Sequence, residues 1–146
     1  MLKSSATAST ISECRYIDFP KIIDTRGNLT FIEGKRHLPF EIRRVFFIYD
    51  IPSGEVRGAH AHRRLRQVIV CLSGSLDVVV NDGREQKTIH LNRPTRGLYL
   101  PPMIWANMEN FDSNTIYAVM ASTYYDESDY IRDFSEFVKL AKGATQ

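Results

Sequence analysis

Gly54-Glu-Val-Arg57-Gly-Ala-His60-Ala-His62-Arg-Arg-Leu-Arg-Gln67-Val-Ile-Val-Cys-Leu-Ser-Gly74 is the stretch from which the rest of the chain can be read. Two histidines one residue apart share a face if they lie on a strand, because successive side chains alternate across it. Gln67 opens an apolar run, Val68 to Leu72, that reads as a buried strand ending in the turn Ser73-Gly74-Ser75. If Gln67 faces an interior shared with the histidines, Ile69 and Cys71 follow it, and Val68, Val70 and Leu72 face out. An apolar outer row left in water costs about 25 cal/mol per Å². It is therefore expected to be covered by a second sheet or by another subunit, and a homodimer is expected.

Outward from this stretch, short extended segments follow one another between turn residues. Tyr16–Phe19, Leu29–Glu33, Ile42–Tyr49, Gln67–Leu72, Leu76–Val80, Lys87–Leu91, Gly97–Leu100 and Thr115–Ser122 read as strands. Asn81-Asp82-Gly83 is a strong hairpin signal, since these residues tolerate positive φ. Many short strands at near-regular spacing predict an all-β sandwich or barrel. Only the end departs from this. Asp129 is a candidate helix cap, with Ile131, Phe134, Val138 and Ala141 on one face of a C-terminal helix packed on the barrel's outside.

The 146 residues fit one domain, large enough to bury a core without disulfides or a structural metal. Residues 1–13 read as a mobile tail without the apolar segment of a signal peptide, and 14–146 as a single domain. A net charge of +2 with dispersed basic residues argues against nucleic acid as a partner. No run is long enough to span a membrane as a helix. Cys14 and Cys71 lie far apart in sequence and read as free thiols, which points to a reducing, cytoplasmic location.

His60 and His62 lead the candidates for chemistry. Imidazole exchanges protons near neutral pH, so the pair can serve as base and acid, or as a base and its orienting partner. The plain alternative is a pair of strand histidines with no role. Gln67 can donate and accept, and so can fix a tautomer or bind a substrate oxygen. Arg57 carries a planar fork suited to phosphate oxygens. Arg26, in the turn Asp24-Thr25-Arg26-Gly27, is a second candidate, although a solvated turn arginine explains it as well. Tyr99 and Trp105 are read as lining the barrel mouth and stacking on a base or sugar, with core packing equally open. Arg63, Arg64 and Arg66 read as a charged loop, and Tyr124 to Asp129 as the connection to the helix.

The spacing of Gly54, His60-Ala-His62, Gln67 and Gly74 resembles the first motif of the cupins, small jelly-roll barrels (double-stranded β-helices). Cupins usually carry Glu where Gln67 stands and a further histidine in a second motif, matched here by Gly97 to Asn107. That histidine falls at or beside Ala106. Two imidazoles and a neutral amide are a poor ligand set, so neither metal nor another cofactor is expected.

Arg57-Gly-Ala-His-Ala-His62, Gln67 to Gly74, Gly97-Leu-Tyr99 and Tyr124-Tyr-Asp-Glu-Ser-Asp-Tyr-Ile-Arg132 together resemble the sugar-nucleotide 3,4-ketoisomerases, over Phe19 to Lys142. The resemblance implies a metal-independent isomerase that moves the keto group of a dTDP-4-keto-6-deoxyhexose from C4 to C3. An aminotransferase would then make a 3-amino sugar for lipopolysaccharide O-antigens or similar glycans. It implies His60 and His62 as the proton-transfer pair, with Arg57 and Gln67 near the sugar or diphosphate. It also implies a homodimer that exchanges N-terminal strands. Two departures stand out: Ala106 replaces a common histidine, and Phe46-Phe47 stand where a tyrosine is expected, so a phenolic donor is not foreseen. A dTDP-sugar 3,5-epimerase and a non-catalytic sugar-nucleotide-binding cupin are the competing readings. Whether the product is galacto or gluco at C4 is open.

Overall fold

A computed structural model describes residues 8–143. Two five-stranded antiparallel sheets face each other. Strands β1 (Arg15–Asp18), β4 (Arg44–Ile48), β6 (Gln67–Ser73), β9 (Arg96–Leu100) and β11 (Ile116–Ala121) form one sheet, in the order β1-β9-β6-β11-β4. Strands β5 (Arg57–His62), β7 (Leu76–Asn81), β8 (Gln86–Leu91), β10 (Trp105–Glu109) and β12 (Tyr130–Ile131) form the other, in the order β12-β5-β10-β7-β8. A small hairpin of β2 (Lys21–Ile22) and β3 (Leu29–Thr30) projects separately, and helix α1 (Phe134–Gly143) ends the described chain. This is the expected jelly roll with a C-terminal helix.

The core follows from alternation. Ile69, Cys71, Leu76, Val78, Val80, Leu98, Leu100, Tyr117 and Val119 meet between the sheets. Burying each such aliphatic side chain contributes about 1.5–3 kcal/mol. Cys14 and Cys71 are both buried there as free thiols. The Asn81–Gly83 hairpin forms as expected, with Gly83 at φ +94° and its N–H donating to Asn81 Oδ1 at 2.7 Å. Asp82 accepts from the N–H groups of Arg84 and Glu85. Its other oxygen accepts from Ile11 at 2.9 Å, holding the turn Ile11–Glu13 against the barrel. Residues 1–7 of the segment read as a tail lie outside the described residues.

The outer row of β6 is covered differently from either expectation. Val68 and Val70 are buried against Phe19, Leu38, Phe40, Tyr99 and Met120, so the chain's own N-terminal segment is their cover. Leu72, beyond its reach, is exposed.

The helix also starts later than expected. Asp133, not Asp129, caps it, accepting from the N–H groups of Ser135 at 2.8 Å and Glu136 at 3.2 Å. Its buried stripe is Phe137 and Ala141, with Val138 and Leu140 partly covered and Phe134 exposed. Ile131 belongs to β12 rather than to the helix, yet joins the same cluster with Ala61, Met103 and Trp105.

Candidate active site

A bulge in β5 sets the geometry. Opposite β10, His60 pairs with Ala106 and Gly58 with Asn107, which leaves Ala59 as the extra residue, at φ +59°. Without it, residues 57 and 60 would face opposite sides of the sheet. With it, Arg57, His60 and His62 all face the barrel interior. Gly58 sits at φ +92°, and a Cβ there would lie 2.8 Å from the carbonyl oxygen of Ala106, so the bulge requires glycine.

Both imidazoles are tied at Nδ1. His60 Nδ1 lies 3.1 Å from the carbonyl oxygen of Gly58, and His62 Nδ1 lies 3.2 Å from Asp129 Oδ2. A carbonyl or carboxylate oxygen only accepts, so each Nδ1 carries the proton and each neutral ring leaves a bare Nε2. The ring centroids are 5.0 Å apart, at 85°. Burial pushes the basicity of both down. His62, 5% exposed, falls to a pKa of about 4, first through burial and then through repulsion from His60, against the opposing pull of Asp129. His60 is lowered by burial, opposed by its bond to Gly58.

Asp129 is the residue that sequence spacing misassigned. Its carboxylate is buried, accepting from the N–H groups of Arg64 at 2.7 Å and Leu65 at 3.2 Å besides meeting His62. The segment read as a mere connection therefore supplies the group that orients a histidine. It supplies a phenol as well. Tyr130 pairs with His62 across β12 and β5, and its ring centroid lies 4.4 Å from that of His62 and 5.1 Å from that of His60. Arg132 covers Tyr130 at 4.3 Å and grips Glu127 through Nε at 2.8 Å and Nη2 at 3.0 Å. The Tyr125 hydroxyl donates to the same carboxylate at 2.5 Å. Those bonds hold the Glu127 carboxyl down at about 2.

The remaining candidates divide. Gln67 pairs with Leu100 and Ala121, whose side chains face the interior, so it turns the same way as the histidines. Arg57 pairs with the inward-facing Met108 and lies close enough to the buried Tyr117 phenol to oppose the upward push that burial gives its pKa. Trp105 does not line the mouth. It faces the other side of β10, packed on Phe134 and Phe137 with centroids at 5.2 and 5.8 Å. Tyr99 lies on the outer face of the first sheet, near Phe40 and under the Arg15 guanidinium at 4.9 Å. Both follow from parity, since Leu98, Leu100 and Ala106 take the inward positions. Arg26 sits on the β2–β3 turn, 88% exposed and paired with Asp24 at 2.8 Å.

A cupin-type metal does not fit these residues. The position across from His60 is Ala106, Gln67 offers a neutral amide, and no cluster of three His, Cys, Asp or Glu occurs among the described residues.

Residues 12–142 match the family described as FdtA: WxcM-like, C-terminal. The chain is 47% identical over 127 residues to the TDP-4-oxo-6-deoxy-alpha-D-glucose-3,4-oxoisomerase of Aneurinibacillus thermoaerophilus, covering 87% of this chain and 91% of that one. It superimposes with a TM-score of 0.91 on QdtA, a sugar 3,4-ketoisomerase of Thermoanaerobacterium thermosaccharolyticum solved with TDP. That match is at 39% identity and covers 94% of this chain and 100% of the other. A His-to-Asn variant of QdtA, in complex with TDP-4-keto-6-deoxyglucose, matches at 41% identity and a TM-score of 0.87, covering 89% and 94% of the two chains. With the motif, the barrel and these relatives in agreement, the chain belongs to the sugar-nucleotide 3,4-ketoisomerase family of cupins.

Proposed function

We propose that this chain moves the keto group of a dTDP-4-keto-6-deoxyhexose from C4 to C3, using His60 and His62 as its proton carriers. The observation that carries the reading is the pair of buried imidazoles, each fixed at Nδ1 with Nε2 bare. One Nε2 takes the proton from C3, and the electrons of that bond make the C3–C4 double bond of an enediolate. The other takes the hydroxyl proton from O3 and gives it to O4. Return of the carbon proton to C4 leaves a carbonyl at C3. Both proton pairs balance, and no redox group is consumed. Asp129 favours this by stabilising His62 whenever it is protonated, as the carboxylate of a catalytic triad does. Arg57 and Gln67 face the same interior and are assigned to the substrate. Arg26, Tyr99 and Trp105 lie outside the histidine cluster within one chain.

The chain works as a homodimer with exchanged N-terminal strands. Support comes from the edge strand β4, whose outer residues Val45 and Phe47, with Tyr49 just beyond the strand, are exposed on the side of Leu72. Ile22, Ile23 and Leu29 of the projecting hairpin are exposed too. Two unpaired thiols favour the cytoplasm, and no described helix is long and apolar enough to cross a membrane. The 3-keto product is the electrophile that an aminotransferase requires.

Turnover of TDP-4-keto-6-deoxyglucose is expected to survive exhaustive chelation, because the ligand set lacks a third donor. Activity lost to the chelator and restored by one added divalent metal would reverse the metal-free reading.

A further inference from the structure

Arg44 is a cation near the histidines that the proposed proton transfers leave without a task. It lies on β4 opposite Ala121, which in turn pairs with Gln67, so its side chain points into the same interior as Gln67. Its guanidinium lies over Phe46 at 5.2 Å and over Tyr125 at 5.6 Å. Tyr125 touches Tyr130 at 5.7 Å, and Tyr130 touches both imidazoles. Arg44 is also close enough to His62 for its charge to depress that ring's basicity.

Most of the neighbouring cations are paired. Arg43 pairs with Glu41, Arg63 with Glu136, Arg64 with Asp126 and Asp129, and Arg132 with Glu127. No carboxylate pairs with Arg44 among the described residues, and its Nε is buried without a hydrogen-bond partner. A buried donor left unpaired on an unmatched charge is costly in the free protein, and an anion that meets it recovers that cost on binding. Two anions are available under the proposed reaction, the diphosphate and the enediolate. Arg57 lies beyond the bulge, at the opposite end of β5 from His62, and is exposed to solvent as a diphosphate donor should be. Arg44 is linked instead to the reacting end.

We infer that Arg44 is a catalytic residue whose guanidinium binds the substrate's O4 as the ketone becomes an enediolate, while Arg57 serves the diphosphate. The inference rests on the ketoisomerase reading. A preplaced cation aimed at developing charge stabilises the transition state more than the bound ketone, so it acts on kcat.

The test compares Arg44→Gln, Arg44→Lys and Arg57→Ala with the wild type, by calorimetric titration with TDP and by steady-state turnover of TDP-4-keto-6-deoxyglucose. Exchange of the C3 proton in D₂O, followed by NMR, reads enolisation directly. Arg44→Gln is expected to lose about 10²–10³-fold in kcat and in C3 exchange, a range typical of removing an oxyanion donor, with TDP affinity within about threefold of wild type. Arg44→Lys keeps the charge and should recover part of both rates, and it carries the test should the Gln variant not fold. Arg57→Ala should bind TDP about ten- to a hundredfold more weakly, the size of a lost hydrogen bond to a charged group. A tenfold or greater loss of TDP affinity in the Arg44 variants would assign Arg44 to the diphosphate and overturn the inference. So would kcat and exchange within threefold of wild type. A wild-type protein that binds TDP but neither turns over nor exchanges the ketosugar would refute the ketoisomerase reading itself.

Discussion

Replacing either His60 or His62 with Asn is expected to lower kcat by about 10²–10⁴-fold, the usual contribution of a positioned acid–base group. Asparagine keeps a similar size and one amide donor but has no basic nitrogen. Substrate binding should change far less, since the imidazoles are assigned to carrying protons and not to holding the nucleotide. The two variants should also differ from each other. Losing the carbon base abolishes exchange of the C3 proton with D₂O. Losing the oxygen shuttle stops product formation while slow C3 exchange continues. NMR of the recovered substrate thus assigns the two roles. Near-normal turnover in both single variants would remove the histidines from the mechanism.

Asp129→Asn is expected to cost about 10³–10⁴-fold in kcat, by analogy with the tautomer reversal seen when a triad aspartate becomes an amide. The amide can present its N–H to His62 Nδ1, which moves the ring proton to Nε2 and silences that atom as a base. A loss of thermal stability should accompany this, because one side of a buried pair is removed and the N–H groups of Arg64 and Leu65 must share a weaker acceptor. A structural role alone would not alter the pH profile of the residual activity. Asp129 raises the basicity of His62, so its removal should move the acid limb of kcat/KM to lower pH. An unshifted limb, with turnover reduced only in proportion to the folded fraction, would make Asp129 a structural residue. The wild type carries a related signature. His62 is held neutral with a folded pKa of about 4 against 6.5 unfolded, so the unfolded chain binds more protons between those values. Its contribution to stability is complete above pH 6.5 and declines as the pH falls towards 4.

The fold was legible because alternation and turn chemistry are local. The His-x-His face, the buried run from Gln67 and the Asn81–Gly83 hairpin need no knowledge of the partner strand. What was not legible depended on pairing. Arg57 reaches the histidine face only because Ala59 bulges against β10, and the register that creates the bulge is not written in β5 alone. Tyr99 and Trp105 were expected at the mouth, where a one-residue change of parity decides between lining a site and packing outside. Asp129 and Asp133 are both plausible caps four residues apart. The choice falls to Asp133 because two backbone N–H groups and His62 already occupy Asp129. Tyr130 restores the phenol that Phe46 and Phe47 appeared to remove, from a two-residue strand too short to carry a period. Val68 and Val70 are covered by Phe19, Leu38 and Phe40 because the N-terminal segment folds back on the sheet, a long-range event that hydropathy does not record.

Keto migration is tested most directly by incubating the protein with TDP-4-keto-6-deoxyglucose and assigning the product by proton NMR. The expected product is a 3-keto-6-deoxyhexose, with a new proton at C4, a carbonyl at C3 and the C5 configuration unchanged. A product inverted at C5 that retains its 4-keto group would show an epimerase and contradict the account. Tight binding without any conversion would show a sugar-nucleotide-binding module and contradict it equally.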